Sequence, residues 1–136
     1  MGRSSKKRRR RLVGSGSPFE NVIGFSRAVR VGDIVAVAGT APLNADGTSA
    51  CIGDAYGQTK RCIEIVAAVL GVAGTDLTSV IRTRIMLTDI TRWEEAARAH
   101  GEAFAEIRPA CTFVQVSAFI RPEWLVEIEV DARVEE

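Results

Sequence analysis

Few residues of this chain have the side chains and spacing to do chemistry. His100 is the single histidine among 136 residues, and an imidazole is the side chain best suited to general acid–base work near neutral pH. Cys111 follows Pro109 and Ala110 and lies close in sequence to cationic Arg108, a setting that favours a thiolate nucleophile. Glu127 and Glu129 alternate with apolar residues, so both carboxylates share the polar face of a strand, where dry surroundings would let one of them activate water. Each candidate also has a plainer reading. His100 reads equally as a core or interface histidine with one satisfied nitrogen, and Cys111 as an inert small apolar side chain. The two glutamates read as a solvated strand face, or as partners of Arg82 and Arg84 in cross-strand ion pairs. Glu102 falls off the stripe that holds His100 and is expected at the surface.

No P-loop, GxGxxG turn, GxSxG elbow or HExxH helix is present. The cysteines Cys51, Cys62 and Cys111 are odd in number and lack CxxC or CxxH spacing. No cofactor and no metal site is therefore expected, and a reduced, cytoplasmic protein is the reading that cysteine usage favours.

The elements that must hold these residues follow from periodicity. Two β-rich runs in residues 28–39 flank Gly32-Asp33, the turn chemistry of a hairpin. Cys62, Ile65, Val66, Val69 and Leu70 recur at helical spacing within residues 54–73, with glycines after them. Residues 79–88 alternate Ile81, Thr83, Ile85 and Leu87 against Arg82, Arg84 and Met86, which predicts a strand with one buried face. Thr91 and Glu94 fit a capping box for a second helix, whose stripe Trp93, Ala97, His100, Phe104, Ile107 runs up to Pro109. Residues 112–118 and 125–134 supply two more strands, the last with Val126, Ile128, Val130 and Ala132 inward. The order implies an α/β (α+β) domain with a mixed sheet and both helices on one face. The uncovered sheet face predicts self-association.

Charge divides the chain in two. Seven of its 18 basic residues lie in the first 11 positions, leaving 11 basic against 17 acidic residues and a net charge of −6 for the remainder. Residues 1–17, ending in Gly-Ser repeats, are expected to form a flexible basic tail, with one domain over residues 18–136. An acidic body disfavours nucleic acid as a partner except through that tail, and no apolar run is long enough for a membrane-spanning helix.

Four segments, GFSRAVRVGDIVAVAGTAP, RTRIMLTDI, RPACTFVQVS and LVEIEVDARV, together resemble the Rid family, also called the YjgF or L-PSP endoribonuclease family. The resemblance covers nearly all of residues 17–135. It implies a chorismate-mutase-like fold assembled as a homotrimer, with ligand pockets in the clefts between subunits. Archetypal members hydrolyse reactive enamines and imines such as 2-aminoacrylate to 2-keto acids and ammonia without a cofactor. Where the deaminase branch reads Pro-Ala-Arg-Ser, with the arginine clamping the substrate carboxylate, this chain has Pro109-Ala110-Cys111-Thr112. The family's pocket tyrosine falls on Phe25, its serine on Ala38 and its helix asparagine near Ala97. Gly39 and the carboxylate Glu127 are retained. The resemblance thus implies a pocket lined by Phe25, Ala38, Gly39, Thr112 and Phe113, with Glu127 as the water-activating group and His100 and Cys111 as further candidates. It points to a small-molecule hydrolase acting on something other than an α-imino acid. A non-catalytic metabolite-binding or regulatory trimer is the second reading, and an RNA-binding protein or endoribonuclease the third.

Overall fold

The computed structural model describes residues 10–135. Their elements, in chain order, are β1 (Arg10–Val13), β2 (Ala28–Val31), β3 (Ile34–Thr40), α1 (Ala55–Val72), β4 (Val80–Leu87), α2 (Trp93–Phe104), β5 (Ala110–Gln115) and β6 (Val126–Arg133). The six strands form one sheet in the order β1-β2-β3-β6-β4-β5. All neighbours are antiparallel except β4 and β5, whose parallel pairing is bridged by α2. Both helices pack on one face, as the element order predicts. The core lies between them and the sheet, with Cys62, Val66 and Leu70 of α1 and Ala96 and Phe104 of α2 meeting Val35, Val37, Ile85, Ile128 and Val130.

Local chemistry explains most of these elements. Gly32, at a φ of 61°, allows the tight turn between β2 and β3. Asp54 caps α1 by accepting from the Gly57 amide. In β6 the alternation is complete, with Val126, Ile128, Val130 and Ala132 buried. The face of α1 differs in one place: Ile63 is buried while Ile65 is only half-buried, because the stripe runs through Ala55, Gln58, Thr59, Cys62, Ile63, Val66 and Leu70.

Several sequence expectations need correction. Arg10–Val13 do not belong to a flexible arm but pair with β2 as an edge strand. The strand is fastened to the end of α1: Arg11 Nη2 donates to the Val72 carbonyl at 3.1 Å, and Arg30 Nη1 of β2 donates to the Ala73 carbonyl at 2.7 Å. Two guanidinium groups thus satisfy carbonyls that a helix C-terminus leaves open, at the negative end of its dipole. The rest of the expected tail, residues 1–9, lies outside the described residues.

Ile81 is exposed rather than inward, because the β4–β6 register slips between Val80 and Arg82 and the extra residue reverses the alternation there. No capping box forms at Thr91. Asp89 accepts from the Thr91 amide instead and starts a short 3-10 turn over Ile90–Arg92, after which α2 begins at Trp93 without a side-chain cap. The helix ends at Phe104, short of Ile107, and β5 occupies Ala110–Gln115 rather than residues 112–118.

Candidate functional site

The sheet face turned away from the helices carries the site. Along β6, Glu127, Glu129 and Asp131 all project to this side, since their alternate neighbours are buried against the helices. Register sets their cross-strand partners on β4 as Met86, Arg84 and Arg82 in turn. Glu129 and Asp131 are neutralised accordingly: Arg84 Nη1 lies 2.6 Å from Glu129 Oε1, and Arg82 Nε lies 3.6 Å from Asp131 Oδ2. The ladder expected from the sequence for Glu127 and Glu129 thus forms one row further along, with Arg84 on Glu129 and Arg82 on Asp131. Glu127 meets a thioether where the other two meet a guanidinium, and it makes no ion pair with any described residue.

On the other side of β6, the pairing with β3 shifts between Val37 and Thr40, so that Ala38 and Gly39 form a bulge opposite Glu129. The bulge brings Gly39 against Glu127. A Cβ at Gly39 would lie 2.9 Å from Glu127 Oε1 and within 4 Å of nothing else, so the missing side chain is what lets the carboxylate lie against the backbone.

Arg27 completes the group. It precedes β2, its carbonyl accepts from the Ala38 amide at 2.9 Å, and its Nη2 donates to the Gly39 carbonyl at 2.8 Å. Partial burial pushes the Glu127 carboxyl above its ordinary value of 4.5; the charge of Arg27 opposes this rise and that of Glu129 adds to it. Desolvation lowers the Arg27 pKa, against the pull of Glu127 and Glu20. The result is a half-buried carboxylate and a half-buried guanidinium sharing one bulge, neither neutralised by a direct ion pair.

An open hollow of about 310 Å³ adjoins this group, lined by Ser26, Val29, Ala36, Ala38, Arg84 and Glu129 among others. Arg84, Glu129 and Asp131 line it and Glu127 does not, so its charged walls are already matched by ion pairs. The reactive geometry is at Glu127, one row away.

The remaining candidates divide between the two faces. Phe25 is half-buried and two residues before Arg27, while Ala38 and Gly39 form the bulge. Thr112 pairs with Arg84 on β4 and so belongs to the open face. Cys111 and Phe113 pair with Thr83 and Ile85, both of which face the helices, so they lie on the opposite side from Glu127. His100 is there as well. Its Nε2 shares a 2.8 Å hydrogen bond with the hydroxyl of buried Thr83, and its ring stacks at 4.6 Å on Phe104. Burial lowers its pKa below the ordinary 6.5, and the bond to Thr83 sets it at the helix–sheet interface with one ring nitrogen satisfied. Within one chain the sheet therefore separates His100 and Cys111 from Glu127, and the trio of candidates is not assembled. Cys111 is exposed on the edge strand and Glu102 lies at the surface, where it accepts from the Tyr56 hydroxyl at 2.6 Å. Among the described residues no group of three or more His, Cys, Asp and Glu side chains converges to hold a metal ion, and no helix is long and apolar enough to cross a membrane.

Arg27 is the residue that the sequence reading missed. Its signal was faint: a cation one position before an alternating apolar strand, which becomes part of a site only when the hairpin sets it opposite Ala38.

A mixed six-stranded sheet with two helices on one face and an unpaired, partly desolvated carboxylate on the other defines an α+β domain with an open sheet face. The chain belongs to the Rid (YjgF) family, whose model, described as Endoribonuclease L-PSP, matches residues 16–134. An uncharacterised protein of Streptomyces coelicolor is 41% identical over 122 residues, covering 90% of each chain. A crystal structure of a Mycobacterium tuberculosis member of the YjgF/YER057c/UK114 family superposes with a TM-score of 0.81 at 46% identity, covering 92% of this chain and 99% of the other. A protein of Acinetobacter baylyi named 3-aminoacrylate deaminase is 34% identical over 107 residues, 79% of this chain and 84% of its own. Family membership supports a small-molecule-binding or deaminase-like role.

Proposed function

We propose that this protein is a cofactor-independent hydrolase of a small molecule, with Glu127 as the group that orients and deprotonates water in a cleft completed by a neighbouring copy in a homotrimer. The observation that carries this reading is the register of β4 against β6, which leaves Glu127 alone among three carboxylates without an arginine partner. Its raised pKa suits a base that must later return the proton.

On an imine, the water oxygen bonds to the carbon of the C=N group and its proton passes to Glu127. The same proton then goes to nitrogen to give a carbinolamine; the hydroxyl proton follows it to nitrogen by way of Glu127, and the C–N bond breaks as ammonia leaves and the carbonyl forms. Apolar residues exposed on the open face, with Leu12 at 64%, Val31 at 47% and Ile34 at 47%, support its burial against another copy. The arginine clamp of the deaminase branch has no counterpart at Cys111, so 2-aminoacrylate is not the expected substrate.

The test is hydrolysis of freshly generated 2-aminoacrylate, 3-aminoacrylate and neutral imines by the wild-type protein, Glu127→Gln, His100→Gln and Cys111→Ser, with the oligomer followed by light scattering. Loss of turnover in Glu127→Gln alone, with the trimer intact, supports the assignment. Undiminished turnover in that variant removes it, and efficient 2-aminoacrylate hydrolysis by the wild type refutes the argument from Cys111. Ligand-dependent thermal stabilisation without turnover of any compound would favour the non-catalytic binding role instead.

A further inference from the structure

Arg27 is an uncommon kind of arginine for an open sheet face. It is half-buried, and of its five N–H donors only one, on Nη2, has an acceptor among the described residues, the Gly39 carbonyl at 2.8 Å. The other open-face arginines of β4 each have a carboxylate, Arg84 at 2.6 Å and Arg82 at 3.6 Å. Arg27 has none in direct contact among the described residues. A guanidinium withdrawn from water in this way calls for an anion and for acceptors to its remaining N–H groups.

We propose that Arg27 is the anion-binding residue of the site, its guanidinium taking a carboxylate of the ligand while the ligand's body crosses Gly39 towards Glu127. This rests on the reading above that the ligand is bound at Glu127.

Three features of the geometry favour it. The hydrogen bond to Gly39 holds the planar fork in place, so little side-chain freedom is lost when two parallel N–H···O bonds form. Gly39 has no Cβ, and the path from the guanidinium to Glu127 runs along its backbone. Arg27 and Glu127 share the bulge without a direct ion pair, so an arriving anion finds the guanidinium uncommitted to any described carboxylate. The charge comes from the β2 side of the row, beside the bulge that Glu127 touches, whereas within one chain position 111 lies across the sheet from it. A cleft that lost its arginine at Cys111 thus retains a preference for anions.

The experiment uses the full chain and probes of known structure: propionate, 2-oxobutyrate and benzoate, each beside its neutral amide, with binding followed by ligand-observed NMR at constant ionic strength. At least one carboxylate is expected to bind at about 10 mM or below, and about tenfold more tightly than its amide. Arg27→Gln should abolish that preference without changing binding of the amides, whereas Arg27→Lys should keep part of it. Glu127→Gln should bind the carboxylates as well as the wild type or better. Equal carboxylate binding by Arg27→Gln and wild type overturns the proposal, as does failure of every carboxylate to bind the wild type. If Arg27→Gln is unaffected while Glu127→Gln changes binding, the anion subsite is refuted and the Glu127 site stands. If neither variant changes the binding seen in the wild type, the ligand lies elsewhere and both readings fall. Thermal unfolding of each variant separates loss of binding from loss of fold, and Arg27→Lys keeps the proposal testable if the glutamine variant is unstable.

Discussion

Replacing Gly39 by alanine separates the function of the bulge from its structure. The new methyl carbon would stand 2.9 Å from Glu127 Oε1, with no other atom within 4 Å. Carbon and oxygen are comfortable only beyond roughly 3.3 Å, so the carboxylate must retreat by about half an ångström. Since it is the end of a flexible side chain, it moves by turning away from its rotamer, at a cost of about 0.5–1.5 kcal/mol. Gly39 does not have a positive φ, so alanine is unstrained there and recovers about 0.4–1 kcal/mol by stiffening the unfolded chain. The two effects nearly cancel, and the melting temperature should change by no more than about 4 °C. Catalysis or ligand binding should suffer far more, because misplacing a reacting group by a fraction of an ångström to one ångström costs about 10- to 100-fold. The assay pairs thermal unfolding with turnover of the imine panel, or with ligand-induced stabilisation if nothing turns over. Glu127 is also titrated by carboxyl-carbon NMR. The double variant Gly39→Ala/Glu127→Gln should be no worse than Glu127→Gln alone, since both changes act through one group. Full activity in Gly39→Ala with an unaltered Glu127 titration would refute the claim that the bulge positions this carboxylate. A collapse in stability would mean that the backbone, not the side chain, is the tight contact.

Two further predictions concern stability. Burial raises the folded-state pKa of Glu127 above 4.5, so the folded protein binds a proton there more tightly than the unfolded chain, and this contribution is full below pH 4.5 and lost as pH rises through the folded-state value. Urea unfolding should therefore show Glu127→Gln matching the wild type near pH 4 and becoming relatively more stable by pH 8; a constant difference across that range would contradict the desolvation argument. Arg30→Ala removes the 2.7 Å bond to the Ala73 carbonyl behind α1 and should cost about 1–2 kcal/mol, read as a lower urea midpoint; an unchanged midpoint would mean that water caps this helix end equally well.

What could be read in the sequence was whatever depends on near neighbours in the chain. The Gly32 hairpin, the alternation of β6 and the apolar stripe of α1 are local signals, and each element formed where expected. The misses share a physical origin. Arg10–Val13 look like solvated charge, yet alternation within RRLV lets Arg11 reach the end of α1 while Val13 enters the core, a role visible only once α1 is folded beside it. Ile81 left its expected face because a one-residue slip against β6 is a property of two strands, not one. The Thr91 capping box lost to Asp89 because an aspartate two residues earlier can cap the turn sooner. His100 was legible as part of an apolar stripe, and its hydrogen bond to buried Thr83 sets it between helix and sheet.

The same distinction decides how far the site itself could be read. That Glu127, Glu129 and Asp131 share a face is local to β6, and any strand with this pattern would present three carboxylates. That only Glu127 is available depends on setting Arg82, Arg84 and Met86 against them in one register. Sliding β4 by two residues along β6 would give Glu127 a guanidinium and leave another carboxylate bare. The bulge at Ala38 and Gly39 adds the second condition, because it brings an unencumbered backbone and the Arg27 guanidinium to the carboxylate that β4 leaves unpaired. Two independent pairing errors would each abolish the site while sparing the fold. The proposed chemistry is therefore a property of register, and residues 38–39 and 86, rather than the titratable groups alone, specify where it would occur.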